Sequence, residues 1–214
     1  MLVAALGLRA QEAPEYRLEL GAGAGAVVYL GDFNGSLMRG MQPMGAALVK
    51  YKPNPRMAWS LLVGYGQLKG ASKHADTWYP AFADNPTEFK NGLTDVSLRY
   101  EYNFWPFGTG REYRGAQPLT PFITFGLGLS FAGSATGGQM PIGFGVKYKA
   151  GDRLNLALEW TMHFTGSDML DGVEDPYGIK SSGLFKNTDC YGILGLTLTY
   201  DLWAKCKTCN NDRD

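Results

Sequence analysis

The chain has 214 residues, among them 29 glycines, 12 tyrosines, 11 phenylalanines and 5 tryptophans, while charged residues make up only 19%. A mixture so rich in aromatics and glycine fits many strands and turns, and its length suits one large all-β domain or two small domains. Lys plus Arg equals Asp plus Glu at 20 each, so there is no global basic field to hold nucleic acid.

The N-terminus, MLVAALGLRAQEAPEYR, joins an apolar run from Leu2 to Leu8 to a short Leu8-Arg9-Ala10 stretch resembling a small-residue cleavage site. We read residues 1–11 as a truncated signal peptide, cleaved near Ala10 or Gln11. The positive n-region is missing, which favours a true start upstream of Met1 over the alternative of a buried first segment. No apolar run approaches the roughly 18 residues that a membrane-spanning helix requires. If the mature chain crosses a membrane, it must do so as strands.

Period-two alternation predicts eight strands in chain order, at Tyr16 to Leu30, Met44 to Tyr51, Ala58 to Leu68, Val96 to Phe104, Leu119 to Phe131, Pro141 to Lys149, Leu154 to Phe164 and Tyr191 to Trp203. The fourth, VSLRYEYNF, sets Val96, Leu98, Tyr100, Tyr102 and Phe104 against Ser97, Arg99, Glu101 and Asn103 without a break. The seventh, LNLALEWTMHF, sets Leu154, Leu156, Leu158, Trp160, Met162 and Phe164 against Asn155, Ala157, Glu159, Thr161 and His163. No amphipathic helix competes.

Such strands suit a soluble sandwich with apolar residues inside, or a membrane barrel with apolar residues facing lipid. Strand length and the second face decide. Several strands exceed 11 residues, against a usual five or six, and about 9 to 11 tilted residues cross a bilayer. Their second face is small or charged, with Gly21, Gly23 and Gly25 on the first, Gly126 and Gly128 on the fifth, and Gly143, Gly145 and Lys147 on the sixth. The interior of an eight-stranded barrel is only wide enough for side chains to fill it. Glycines on some staves then make room for a polar plug of Arg99, Glu101, Glu159 and Lys147 from others.

Strand ends carry Tyr16, Trp59, Tyr65, Phe104, Trp105, Phe131, Tyr148, Phe164, Tyr200 and Trp203, as the aromatic girdles of outer-membrane barrels do. The expectation is an all-β fold, with residues 12–204 forming an eight-stranded antiparallel outer-membrane barrel and residues 205–214 a periplasmic tail. The odd connections at Gly31 to Met41, Lys69 to Asn91, Gly133 to Gln139 and Thr165 to Asp189, two of them long, would face outside, and short turns inside. One even connection is overlong, FGTGREYRGAQ from Phe107 to Gln117. It reads either as a wobbly Gly-rich turn or as a contact surface presenting Arg111, Tyr113 and Arg114, residue types that anchor interfaces.

GAGAGA at Gly21 to Ala26 only partly matches a dinucleotide fingerprint, because strand rather than helix follows it. His163, Ser167, Asp168 and Asp171 gather at the end of the seventh strand and give a hydrolase alternative, yet no motif fixes their geometry. His163 reads better as a plug member, and His74 as a solvated loop residue. Cys206 and Cys209 offer two of the four ligands that zinc needs, and the strand–helix setting of a thioredoxin-like pair is missing. No metal or cofactor is expected. In an oxidising periplasm the pair forms a local disulfide or bonds to a partner, leaving Cys190 as the odd cysteine.

The chain resembles the PorG family, the outer-membrane barrel component of the type IX secretion system of Bacteroidetes. The resemblance rests on LELGAGAGAVVYLGDF (residues 18–33), KYKPNPRMAW (50–59), LRYEYNFWPFG (98–108), PIGFGVKYKAGDRLNLALEW (141–160) and NTDCYGILGLTLTY (187–200). The acidic stretch that often follows strand seven in that family is matched only in part, by Asp168 to Val173. What the resemblance implies is a non-enzymatic barrel in the outer-membrane lipid, anchoring a periplasmic ring of PorK-like and PorN-like partners. Its contacts would be the Phe107 to Gln117 connection (Arg111, Tyr113, Arg114) and the tail (Lys205, Lys207), clamped by Cys206 and Cys209. A small porin or adhesin is the remaining alternative.

Overall fold

A computed structural model describes residues 16–30, 39–71, 88–109, 115–133, 135–166 and 189–204. The eight strands are β1 (Tyr16–Leu30), β2 (Gln42–Asn54), β3 (Met57–Ala71), β4 (Glu88–Asn103), β5 (Leu119–Ala132), β6 (Ala135–Lys149), β7 (Leu154–Thr165) and β8 (Cys190–Ala204). Each pairs antiparallel with its neighbours, and β1 pairs with β8 from Tyr16↔Ala204 to Leu30↔Cys190, closing the barrel. Both described chain ends, Tyr16 and Ala204, lie at one mouth with the β2–β3, β4–β5 and β6–β7 turns. We call this the turn end, and the opposite mouth the loop end.

Several strands outrun the alternation that predicts them. β4 begins at Glu88 rather than Val96, and β6 at Ala135 rather than Pro141. The backbone ladder continues there, with Gly70↔Phe89 and Ser130↔Gly137 in register. Hydrogen bonding between strands needs no apolar alternation, so the pattern stops before the strand does. The stretches expected as loops from Lys69 to Asn91 and from Gly133 to Gln139 are accordingly shorter.

The outer wall is apolar, with Leu20, Leu61, Tyr65, Leu98, Leu127, Phe144, Leu158 and Leu198 all exposed; Leu127 reaches 72% and Phe144 65%. A continuous greasy belt of this kind is foreign to a protein bathed in water and is what the lipid-facing side of a barrel requires. Around the turn end the belt passes into Tyr51, Trp59, Tyr148, Tyr200 and Trp203, all exposed. Trp59 and Tyr100 meet edge to face at 5.1 Å.

Inward glycines let the staves close tightly. A Cβ on Gly25 would lie 2.2 Å from the Leu194 carbonyl oxygen, and one on Gly126 2.2 Å from that of Leu98. Backbone atoms cannot yield as a flexible side chain can, so these positions admit no side chain without a shift of a whole strand. At the loop end the interior is apolar: Val27, Tyr29, Met44, Leu68, Leu93, Ala132 and Tyr191 form one buried cluster. That corrects the expectation of a wholly polar lumen, which the glycine-rich and charged strand segments suggested because the capping residues sit beyond them, near the strand ends.

The overlong β4–β5 connection is also ordered at its base. Phe107 N–H donates to the Pro55 carbonyl at 3.1 Å, Gln117 N–H to Pro106 at 2.7 Å and Gly108 N–H to Gln117 at 3.2 Å. Arg56 Nη1 donates to the Phe104 carbonyl at 2.8 Å, and Asn103 Nδ2 to Pro55 at 3.1 Å. This base is therefore stitched to the β2–β3 turn, and Phe107 is buried across the turn-end mouth.

Candidate functional site: a charged column inside the barrel

The small inner faces of β1, β5 and β6 leave a lumen that long side chains from the other staves can enter. Near the turn end, Lys52 on β2 reaches Glu19 on β1 at 2.7 Å and Asp201 on β8 at 2.6 Å. Lys149 on β6 pairs with the other oxygen of Asp201. One layer higher, Glu101 on β4 is shared by Lys50 on β2, at 2.6 Å, and Lys147 on β6. Above that, Arg99 stands 3.5 Å from Glu159 on β7, whose carboxylate also accepts from Thr124 at 2.6 Å.

A fourth network lies under the apolar cap. Asp95 on β4 accepts from Gln139 on β6, and His163 Nδ1 on β7 lies 3.2 Å from it while hydrogen-bonded to Gln139 Oε1. The Tyr191 hydroxyl sits 2.7 Å from Asp95, 2.6 Å from Gln139 and 2.8 Å from Ser130, and its ring stacks on His163 at 4.4 Å. Ser97 joins this network to the one below, donating to Asp95 at 3.1 Å and accepting from Arg99 Nε at 3.0 Å. At the top, Tyr29 donates to Asp189 at 2.5 Å, tying the apolar cap to the start of β8.

Five cations (Lys50, Lys52, Arg99, Lys147, Lys149) thus meet four carboxylates (Glu19, Glu101, Glu159, Asp201) among the described residues, while a fifth carboxylate, Asp95, lies against His163 and Gln139. Charges withdrawn from water persist only when paired and hydrogen-bonded. At the bottom of the column Phe107 covers the charges, its ring 4.4 Å from the Lys147 ammonium and 5.8 Å from that of Lys149.

The four residues expected in the plug, Arg99, Glu101, Glu159 and Lys147, all lie in this column, in two different layers. Sequence reasoning missed Lys50, Lys52, Glu19, Asp201, Lys149, Asp95 and Gln139. For Glu19, Lys50, Lys149 and Asp201 the signal was available, since each is the polar member of a predicted alternating strand; Lys50, for instance, faces inward between Val49 and Tyr51, whereas Lys52, Asp95 and Gln139 lie beyond the predicted strand ends. His163 is fully buried in the upper network. Arg111, Tyr113, Arg114, Lys205, Cys206, Lys207 and Cys209 lie outside the described residues, as do His74, Ser167, Asp168 and Asp171. Among the described residues no group of three or more His, Cys, Asp and Glu is placed to hold a metal ion.

The family model described as "Domain of unknown function (DUF6089)" matches residues 2–211. Among solved structures, Neisserial surface protein A (NspA) is 14% identical, over 86% of this chain and 97% of that one, with a TM-score of 0.54. A major outer membrane protein from Thermus thermophilus is 15% identical over 87% and 98% of the two chains, with a TM-score of 0.48. Ail, the attachment invasion locus protein of Yersinia pestis, solved with the heparin analogue sucrose octasulfate, is 10% identical over 89% and 99%, with a TM-score of 0.47. No curated protein matches the chain significantly. The likeness to NspA is one of fold: a closed eight-stranded antiparallel barrel of outer-membrane type.

Proposed function

Because the chain belongs to the DUF6089 family and has the fold of outer-membrane barrels, we propose that it is a non-conducting outer-membrane anchor, holding a periplasmic protein assembly at its turn end. The observation that carries this reading is the lumen itself. Four networks of paired side chains, an apolar cap and Phe107 occupy most of its length, so the working surfaces of such a barrel are its ends. In this reading the turn end faces the periplasm and the longer loops face outward.

The resemblance of residues 18–33, 50–59, 98–108, 141–160 and 187–200 to the PorG family supplies the partner: a ring of PorK-like lipoprotein and PorN-like protein of a type IX secretion system. The base of the β4–β5 connection, bound to Pro55 and Arg56, gives its tip a fixed platform. Arg111, Tyr113 and Arg114 on that tip, with Lys205 and Lys207 on the tail, are the proposed contacts, and Cys206 and Cys209 the proposed clamp. Co-purification tests it. Ring proteins should accompany the wild-type barrel and be lost when residues 110–114 are replaced by a short Gly-Ser link, or when Cys206→Ser and Cys209→Ser are combined. Unchanged recovery in both variants, with the barrels properly inserted, refutes the assignment.

A further inference from the structure

The cations of the turn end differ in their partners. Lys52 and Lys149 are held inside the lumen by Glu19 and Asp201, and Arg56 donates to the Phe104 carbonyl. Arg153, in the turn between β6 and β7, is exposed, and its guanidinium is hydrogen-bonded to the hydroxyls of Tyr200 and Tyr16. Its Cζ lies 5.5 Å from the centre of the Tyr16 ring. Among the described residues its charge is therefore met by hydroxyls and a ring rather than by a carboxylate. The backbone is fixed as well: Asp201 N–H donates to the Arg153 carbonyl at 2.8 Å, and Ala150 and Gly151 N–H donate to the Leu154 carbonyl at 2.8 and 3.2 Å.

A guanidinium carries five N–H donors in a planar fork. Two hydroxyls leave several of them unused, and each hydroxyl that accepts from arginine keeps its own proton to donate. The tyrosines also hold the long side chain in one place, so little rotamer freedom remains to be lost when an anion binds. On the outer wall of the same staves, Ala22 and Ala24 of β1, Leu156 of β7, and Leu196 and Leu198 of β8 line an open apolar hollow. Tyr16 belongs to β1, Tyr200 to β8, and Arg153 immediately precedes β7. Leu198 is two residues from Tyr200, about 7 Å along the strand.

The level on the wall selects the ligand. Tyr200 and Trp203 are exposed members of the aromatic girdle, and such girdles lie at the lipid head groups. Arg153 thus stands among phosphates, which a guanidinium grips by two parallel hydrogen bonds, while the hollow lies among acyl chains. We propose that Arg153, Tyr16 and Tyr200 seat the phosphate diester of one membrane phospholipid, with an acyl chain of that lipid lying in the hollow between Ala24 and Leu198. The site rests on the barrel lying in lipid and is independent of the anchor reading.

The folded barrel in maltoside micelles, which carry no phosphate, is titrated with dioleoyl phosphatidylglycerol, and bound lipid is counted by native mass spectrometry. One lipid should bind the wild type more tightly than any that follow. Arg153→Gln should weaken this first binding about tenfold, as loss of a charge-assisted hydrogen-bonded pair does. Ala24→Leu fills the hollow without touching the guanidinium and should weaken it about threefold, the contact of roughly one methylene group. Arg17→Gln removes another exposed charge at the same mouth and should leave the binding unchanged. Full binding by Arg153→Gln, or an equal loss in Arg17→Gln, overturns the seat. So does dioleoylglycerol, which has the chains but no phosphate, binding as tightly as the phospholipid. Inorganic phosphate that displaces the lipid at equal concentration would make the free anion the ligand and overturn the lipid assignment. Should a variant not fold, the comparison of these three ligands on the wild type decides alone.

Discussion

Replacing Glu101 with glutamine removes the negative charge that two ammonium groups share. Lys50 and Lys147 both end on this carboxylate; the Lys50 and Glu101 side chains are 10% and 1% exposed, and Lys147 is also buried. Glutamine is nearly isosteric and keeps one acceptor, so no cavity forms and one lysine retains a hydrogen bond. The other is left charged and facing its neighbour in a lumen largely withdrawn from bulk water. Breaking a buried pair in this way costs about 3–5 kcal/mol, whereas an exposed pair is worth about 0–1 kcal/mol. The assay is urea unfolding in vesicles, supported by the difference in gel mobility between boiled and unboiled samples. Adding Lys147→Met to Glu101→Gln should recover a large part of the loss, since the second change removes the charge that the first left unpaired; the two effects are then strongly non-additive. The loss should also persist at high salt, because counterions do not enter a filled lumen. A cost below about 1 kcal/mol, or one that vanishes in salt, would mean that the column is hydrated and open.

Phe107→Ala removes the ring that covers Lys147 and Lys149 at the turn end. We expect a loss of about 2–4 kcal/mol by the same titration, combining truncated packing with lost cation–π contact. Gly126→Ala should prevent folding to the compact gel form altogether, because its Cβ meets the Leu98 carbonyl at 2.2 Å and Arg99 Cα at 2.9 Å; normal folding would show that the staves are less tightly coiled than described. Leu127→Arg, at the most exposed point of the apolar belt, should cost about 2–4 kcal/mol in a bilayer, against about 0–1 for Leu154→Arg beside the turn-end girdle. Equal and negligible costs at the two positions would remove the argument that this wall faces lipid. In planar bilayers the wild-type barrel should give no steady conductance, and a stable open current would contradict the filled lumen.

Strand number, strand order and the inward or outward direction of nearly every side chain were legible in the sequence, because a barrel wall makes period-two alternation the rule. VSLRYEYNF and LNLALEWTMHF carry that signal without interruption. Strand ends were less legible: the Glu88 to Asp95 part of β4 lies past the apolar belt, where the ladder continues but lipid no longer selects the outer residues. The identity of the plug was legible only as a type. Alternation places Lys50, Arg99, Glu101 and Lys147 inside, but which acid meets which base depends on the stagger between strands, through registers such as Lys50↔Ser60 and Lys147↔Ala157. The stitching of the β4–β5 connection to Pro55 was not legible at all, since backbone hydrogen bonds between two turns leave no pattern in residue type.

The glycines and the charges, two features that look unrelated along the chain, are parts of one device. β1 gives the lumen Gly21, Gly23 and Gly25, and β5 gives it Gly126 and Gly128, so at these levels the two staves occupy almost none of its volume. Lys50, Lys52, Arg99, Glu101, Lys147, Lys149 and Glu159 are long, and each needs that volume to reach an acid or base on a stave that is not its hydrogen-bonded neighbour. Glu101 on β4 meets Lys50 on β2 and Lys147 on β6, each two strands away, so the column ties together staves that the backbone ladder does not connect. Backbone pairing alone leaves a closed ribbon free to flatten. Ion pairs across the lumen oppose that deformation, which is a rigidity well suited to a barrel whose proposed task is to hold an assembly at one mouth rather than to pass solutes through its middle.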